Sequence, residues 1–338
     1  MTVHDTPLDR SAATVSRRPA ARIVLRRLIQ GPIVLLTVSA AVFWLVQVVP
    51  GDPGRVALGQ YATNEQVAQW NSDNGIDGPV AGRYLRWLGR FVTGDWGVSA
   101  TYDEPVRTLI AQRLPNSIFL GVYAFVLTAL FGIAIGLYQG FRAGRRGDRA
   151  LTISLVSLSS TPEFAVGTVL LLILSVFLGW FPVHAAIPDH ASIPARLTAT
   201  TVPALTLAAA SVGYVARMVR AGTLETLRSP FYRTAVLKGL APRRIITAHV
   251  LRNSLIPSVA VLGGQVAYLV GGSAVVETLF SYPGAGLAIV EATQDKDLIL
   301  LEGLIMVTAA ASLLVLLITD LIYITLDPRI DLTQEQRS

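Results

Sequence analysis

The chain has 338 residues, 52% of them apolar and only 15% charged, with a mean hydropathy of +0.54. This excludes an ordinary water-soluble globule and points to a bilayer. The formal net charge of +6 needs no nucleic acid, because basic residues gathered on the cytoplasmic side and anionic lipid head groups account for it. Cysteine is absent, which removes disulfides and thiolate metal sites.

An arm over 1–31 carries Arg10, Arg17, Arg18, Arg22, Arg26 and Arg27 and leads into a first apolar run at 32–49. Basic residues followed by Ser39, Ala40 and Ala41 resemble a secretory signal. The length of the arm and the turn at Pro50-Gly51-Asp52-Pro53 favour an uncleaved anchor instead. The segment 50–115 is polar but interrupted by Trp70, Tyr84, Trp87, Leu88, Phe91 and Trp96. Tyr84, Leu88 and Phe91 keep helical spacing, so a short helix on the outer membrane face is expected, either as an interfacial element or as a docking shelf.

The second run, 116–139, begins a stripe of Gly132, Gly136 and Gly140. Such a stripe admits another helix closely, from this chain or from a second membrane subunit. In the third run, 150–180, Ser160, Thr161 and Pro162 predict a kink or break, since proline lacks a donor and disfavours helical geometry in the residue before it. Glu163 follows immediately. An acidic residue inside a span is a functional candidate by default; it faces a water-filled path where it attracts an ammonium group, or it meets a buried arginine or backbone donor. Ser160, Thr161, Glu163 and, in the fifth run, Gln265 are the candidate pathway residues.

The fourth run, 202–216, is the shortest. The segment 221–254 after it reads as two short helices: Leu224, Leu227, Phe231 and Ala235 share a face, Gly239 stops the first helix, and Pro242 opens the second. The fifth run covers 256–276 and the sixth 300–326, with Asp320 expected to pair with a basic inner-loop residue, and a tail follows over 327–338. Arg142, Arg145, Arg146 and Arg149 follow the second run, and eight basic residues from Arg217 to Arg252 follow the fourth, against Arg196 and Lys296 in the short opposite loops. By the positive-inside rule both termini are cytoplasmic and 50–115 is extracytoplasmic. The expected fold is an all-α membrane protein of six transmembrane helices, with an extracytoplasmic segment after the first and a cytoplasmic helical hairpin between the fourth and fifth.

The run Tyr232-Arg233-Thr234-Ala235-Val236-Leu237-Lys238-Gly239-Leu240, followed by 249–257, resembles the coupling-loop signature of dipeptide and oligopeptide ABC transporter permeases. Further stretches at 50–53, 84–88, 94–97, 276–280 and 320–329 are similar to that family, of the first permease subunit type. Residues 233–239 match the general permease pattern Glu-Ala-Ala-x-x-x-Gly strictly only at Ala235 and Gly239, a departure typical of the peptide branch. The resemblance implies a permease at 116–326 in the bacterial cytoplasmic membrane, working with a second homologous permease, two cytoplasmic ATPases that use ATP and Mg, and an extracytoplasmic substrate-binding protein. It implies that 221–254 is a coupling hairpin, with Phe231, Tyr232, Arg233, Thr234, Ala235, Lys238, Gly239 and Leu240 meeting the ATPase. Peptides are the implied cargo, and nickel or another small solute the alternative.

The two lysines, Lys238 and Lys296, precede Gly239 and Asp297, so no phosphate-binding loop exists and no cofactor is expected on this chain. His4, His184, His190 and His249 make no metalloprotease pair, which argues against an enzyme. A secondary transporter or channel remains the rival class, but it has no use for a long coupling hairpin.

Overall fold

The computed structural model describes residues 18–48, 53–59, 61–73, 78–188, 191–245, 251 and 273–326. Gln265, most of the fifth apolar run, the N-terminal arm before Arg18, and all of the second hairpin helix beyond Ile245 except residue 251 lie outside them. Among the described residues the chain is helical and has no strand, only an isolated antiparallel bridge between Val98 and Pro105.

In chain order the helices are α1 (Arg18–Val48), α2 (Pro53–Leu58), α3 (Asn64–Asp73), α4 (Val80–Thr93), α5 (Val106–Phe141), α6 (Arg146–Ser160) and α7 (Glu163–Leu170). After α7 comes a π-helical continuation, Leu171–Phe177. Then follow α8 (Ile193–Arg228), α9 (Pro230–Leu237), α10 (Pro242–Ile245), α11 (Ala274–Phe280), α12 (Ala285–Gln294) and α13 (Leu298–Leu326). By length and composition α5, α8 and α13 can cross a membrane, and the bent pair of α6 and α7 makes a fourth candidate. The apolar part of α1, Ile29–Leu45, is shorter.

Two helices outrun their apolar sequence. α5 starts ten residues before the run at 116, because Val106 and Ile110 are buried against Leu300 and Leu304 of α13. α8 spans 36 residues where 202–216 was expected. Its flanks are threonine-rich, and Thr200 and Thr201 return their hydroxyls to the carbonyls of Arg196 and Leu197, which satisfies polar groups inside the helix.

α5 and α8 pack most extensively and run parallel. Gly132 faces Val215, Gly136 faces Ala216 and Val219, and Gly140 faces Thr223; a Cβ on Gly136 would come within 2.6 Å of Val219. The glycine stripe is therefore consumed inside the chain. α1 lies antiparallel along α13, where Arg27 Nε donates to Asp320 at 2.6 Å. The partner of Asp320 is thus the start of α1, not an inner loop, because the two helix ends meet there. The starts of α1 and α6 and the ends of α5, α8 and α13 all gather at one end of the bundle, beside α9. The α11–α12 pair lies at the other end, around the buried Leu120, Val202, Phe280 and Tyr282.

Candidate functional site

The surface built from α9 and its flanks lies at the crowded end of the bundle. α8 stops because Ser229 precedes Pro230 and takes an extended conformation, φ −72°, ψ 148°. Leu224 and Leu227 therefore belong to α8, while Phe231 and Ala235 belong to α9, which corrects the reading of one helix through all four. Ser229 Oγ donates to the Thr226 carbonyl and accepts from the Tyr232 amide, capping α9, and Pro230 fills its first turn.

The far end of α9 closes in a Schellman motif. Leu240 N donates to Ala235 O and Gly239 N to Val236 O, with Gly239 at φ +68°. The accompanying apolar contact is present: Ala235 and Ile245 form a small core with Leu137, Leu227, Tyr232 and Leu240. Ala235 and Leu240 thus hold α9 onto the bundle, and the other face is left open. Leu237 is 83% exposed, and Phe231 and Val236 are also exposed. Beside them a cleft of about 390 Å³ is lined by Leu227, Arg228, Ser229, Tyr232, Arg233, Val236 and Leu237. Thr234 folds its hydroxyl back onto the Pro230 carbonyl, and Lys238 forms the helix end. An apolar ridge with cations around it, on a helix braced from behind, is suited to a protein partner.

One bundle-side node stands directly behind this surface. Asp148, buried in the first turn of α6, accepts from Arg220 Nε and Nη2 of α8, both at 2.9 Å, and from the Gly144 amide. Gln139 of α5 joins it through the Asp148 carbonyl and Thr152. Paired guanidinium–carboxylate hydrogen bonds fix distance and angle together. α5, α6 and α8 are thereby tied where α8 runs on into α9.

The second locality is the break in the third span. Thr161 is extended, Pro162 caps α7, and α6 and α7 meet at 111°. Thr161 Oγ1 donates to Ser157 O and Ser160 Oγ to Val156 O, so both hydroxyls are occupied by their own helix. Glu163 is half-buried in the first turn of α7 and makes no side-chain hydrogen bond or ion pair with any described residue. Among the described residues no arginine pairs with its carboxylate, which lies at the partial positive charge of the α7 start. Both halves of the span lie on α8: Ser159 and Leu155 pack at Gly213, and Gly167 packs at Thr206.

At the opposite end, Glu277 is fully buried and accepts from Ser117 at 2.7 Å, Ser273 at 2.6 Å and the Leu287 amide at 2.9 Å. It ties α5, α11 and α12 together, and Gly284 and Gly286 leave it room, since a Cβ on either would come within 2.8 Å of Oε2. Asp297, equally buried, caps α13 through the Leu300 amide and holds the loop before α5 through Ser99 and the Thr101 amide. Sequence reading missed all these partners. Asp148 and Arg220 lie 72 positions apart, Ser117 and Glu277 160, and only Glu277 offered a local signal, a lone acid in the apolar stretch 274–280.

Among the described residues no three His, Asp or Glu side chains are grouped to hold a metal ion. Comparison with known proteins gives consistent matches. Residues 132–332 match the model for the binding-protein-dependent transport system inner membrane component, and residues 20–121 the N-terminal model for the membrane component of such systems. A probable peptide ABC transporter permease of Sinorhizobium fredii is 30% identical over 91% of this chain and 98% of its own length. The oligopeptide transport system permease AppB of Bacillus subtilis is 31% identical over 92% and 99%. The glutathione transport system permease GsiC of Escherichia coli is 32% identical over 91% and 98%. In fold, the chain is similar to a chain of the MetNI methionine ABC transporter in an inward-facing form, with TM-score 0.53 and 15% identity, covering 66% of this chain and 99% of that one.

Proposed function

Because the chain belongs to the family of inner membrane components of binding-protein-dependent transport systems, we propose that it is the permease subunit through which an ABC importer passes peptides across the cytoplasmic membrane. The relatives that match over nearly their whole length are named for peptides, oligopeptides and glutathione, so a peptide backbone is the shared chemistry of the cargo. The observation that carries the coupling role is α9: a helix capped by Ser229, closed by Gly239, braced by Ala235 and Leu240, and presenting Phe231, Val236 and Leu237 beside Arg228 and Arg233.

In this reading α9 seats on a cytoplasmic ATPase, with Tyr232, Arg233, Thr234 and Lys238 at its rim. ATP and Mg are handled by that partner, a second permease completes the pathway, and an external binding protein delivers the substrate. The end that carries α9, Arg27 and Arg142–Arg149 is cytoplasmic, as are both termini, and six spans cross the bilayer. Ser160, Thr161 and Glu163 mark the pathway at the broken span, with Glu163 positioned to attract the peptide ammonium group; Gln265 is a further pathway candidate.

Purification from membranes tests this. The chain is expected to come away with a similar permease and two ATPase subunits, and vesicles holding the complex are expected to take up peptide only with ATP. A transport-competent complex without any ATPase overturns the reading.

A further inference from the structure

Arg196, half-buried near the start of α8, makes no ion pair with any described residue. Its Nη2 donates to Asn116 Oδ1 at 2.9 Å, its guanidinium carbon lies 5.0 Å from the centre of the Phe119 ring, and its Nε is buried without an acceptor. Two described acids at this end are already engaged. Glu291 meets Arg113 at 3.6 Å, and Glu277, which shares with Arg196 the neighbourhood of Tyr282, is taken by Ser117, Ser273 and the Leu287 amide. The cradle is held from behind: Asn116 Nδ2 donates to the Pro283 carbonyl at 2.9 Å, and the Tyr282 hydroxyl to the Asn116 carbonyl at 2.8 Å.

A half-buried guanidinium with most of its N–H donors unmatched is costly to keep from water. An anion with two parallel acceptor oxygens relieves that cost. The surroundings favour a solute over a lipid as its source. About one turn deeper in the same α5–α8 seam, Tyr123 Oη and Thr201 Oγ1 are hydrogen-bonded at 3.1 Å, so the seam stays polar below the arginine, where acyl chains would call for an apolar lining. Farther along α8, at the broken span, Glu163 is the complementary case, a half-buried carboxylate with no described partner. A zwitterion supplies both missing charges. We propose that Arg196 receives the C-terminal carboxylate of the peptide cargo at the extracytoplasmic mouth, with its Nη groups on the carboxylate oxygens and Phe119 backing the guanidinium. This rests on the permease reading above and adds to it a site that favours a free C-terminus.

The test uses the assembled transporter in phosphatidylcholine vesicles, supplied with its binding protein, ATP and a tripeptide that carries a photoreactive diazirine in its C-terminal residue. Illumination is expected to label residues 116–123 or 193–201. Arg196→Gln is expected to lower that labelling several-fold at an unchanged melting temperature of the complex, and Arg196→Lys, which keeps the charge, to restore much of it. Equal labelling in wild type and Arg196→Gln overturns the proposal, as does a loss that Arg196→Lys leaves in place, which assigns the side chain to packing. Labelling of the same residues by a photoreactive phosphatidylglycerol but not by the peptide also overturns it and gives the guanidinium to a lipid phosphate. ATP-driven peptide uptake without labelling at the mouth removes the arginine site alone, whereas absence of any such uptake by the wild type overturns the peptide-permease reading itself.

Discussion

At the scale of single residues, the acids that matter are those with no opposing charge beside them or with one fixed in two hydrogen bonds. Asp148→Asn removes the charge from two guanidinium contacts and leaves Arg220 half-satisfied. Charge-assisted hydrogen bonds contribute roughly 1.5–3 kcal/mol, so a lower melting temperature of the detergent-solubilised complex is expected. Exchanging the pair, Asp148→Arg with Arg220→Asp, is expected to recover part of the loss; no recovery would mean that the surrounding geometry, not the charge pair, sets the stability. Glu277 invites a sharper comparison. It accepts from two hydroxyls and an amide, so Glu277→Gln turns a donor group toward donors and is expected to cost more than the loss of one hydrogen bond, roughly 1–3 kcal/mol. Limited proteolysis between α11 and α12 checks it, and an unchanged digestion pattern counts against the role. The partners that join elements, Arg220 to Asp148, Ser117 to Glu277 and Ser99 to Asp297, were illegible in sequence because they lie far apart in the chain. The break at Thr161–Pro162, by contrast, is local chemistry and could be read from two adjacent residues.

At the scale of elements, α9 depends on its two ends. Ser229→Ala removes the cap, typically about 1 kcal/mol. Gly239→Ala adds no clash, since the space around a Cβ there is open, but it forces a left-handed residue at about 1–2 kcal/mol. Gly239→Trp combines that strain with bulk on the face proposed to meet the ATPase. Normal membrane insertion with peptide uptake lost, and ATP hydrolysis no longer answering substrate, is the expected result; wild-type uptake would remove α9 from the coupling role. The α5–α8 contact behaves oppositely. Gly136→Val places atoms where Val219 and the Ala216 carbonyl already stand, and overpacking costs roughly 1–3 kcal/mol or more. The folded chain itself, measured as monodisperse protein after extraction, is expected to be lost, and a well-folded variant defective only in subunit pairing would contradict the intrachain contact. The glycines were visible in sequence as a stripe. Which helix they receive was not, because a small-residue face has no signature of its partner.

For the whole molecule, the parallel run of α5 and α8 requires the chain to return between them, and α6 and α7 provide that return. On the proposed six-span topology Tyr61 and Gly144, both at exposed positions, belong to opposite sides of the membrane. Single cysteines there are expected to react with an impermeant reagent from opposite faces, Tyr61→Cys from outside; labelling of both from one side would overturn the arrangement. The helical class was legible from hydropathy alone. Helix length was not: Val106–Ile110 and the flanks of α8 are helical because tertiary neighbours bury them, a choice that local propensity does not make.

The bent span rests at both halves on α8, through Ser159 and Leu155 at Gly213 and through Gly167 at Thr206. α8 is therefore a splint across an elbow. A joint held in this way does not flex when pushed; it is carried. On the proposed coupling role of α9, a displacement of α9 passes into α8 and carries the Glu163 carboxylate with it, at constant distance from α9. The charge changes its surroundings by travelling past other helices rather than by turning on its own. Paired spin labels on α7 and α9 are then expected to keep one separation throughout the ATP cycle.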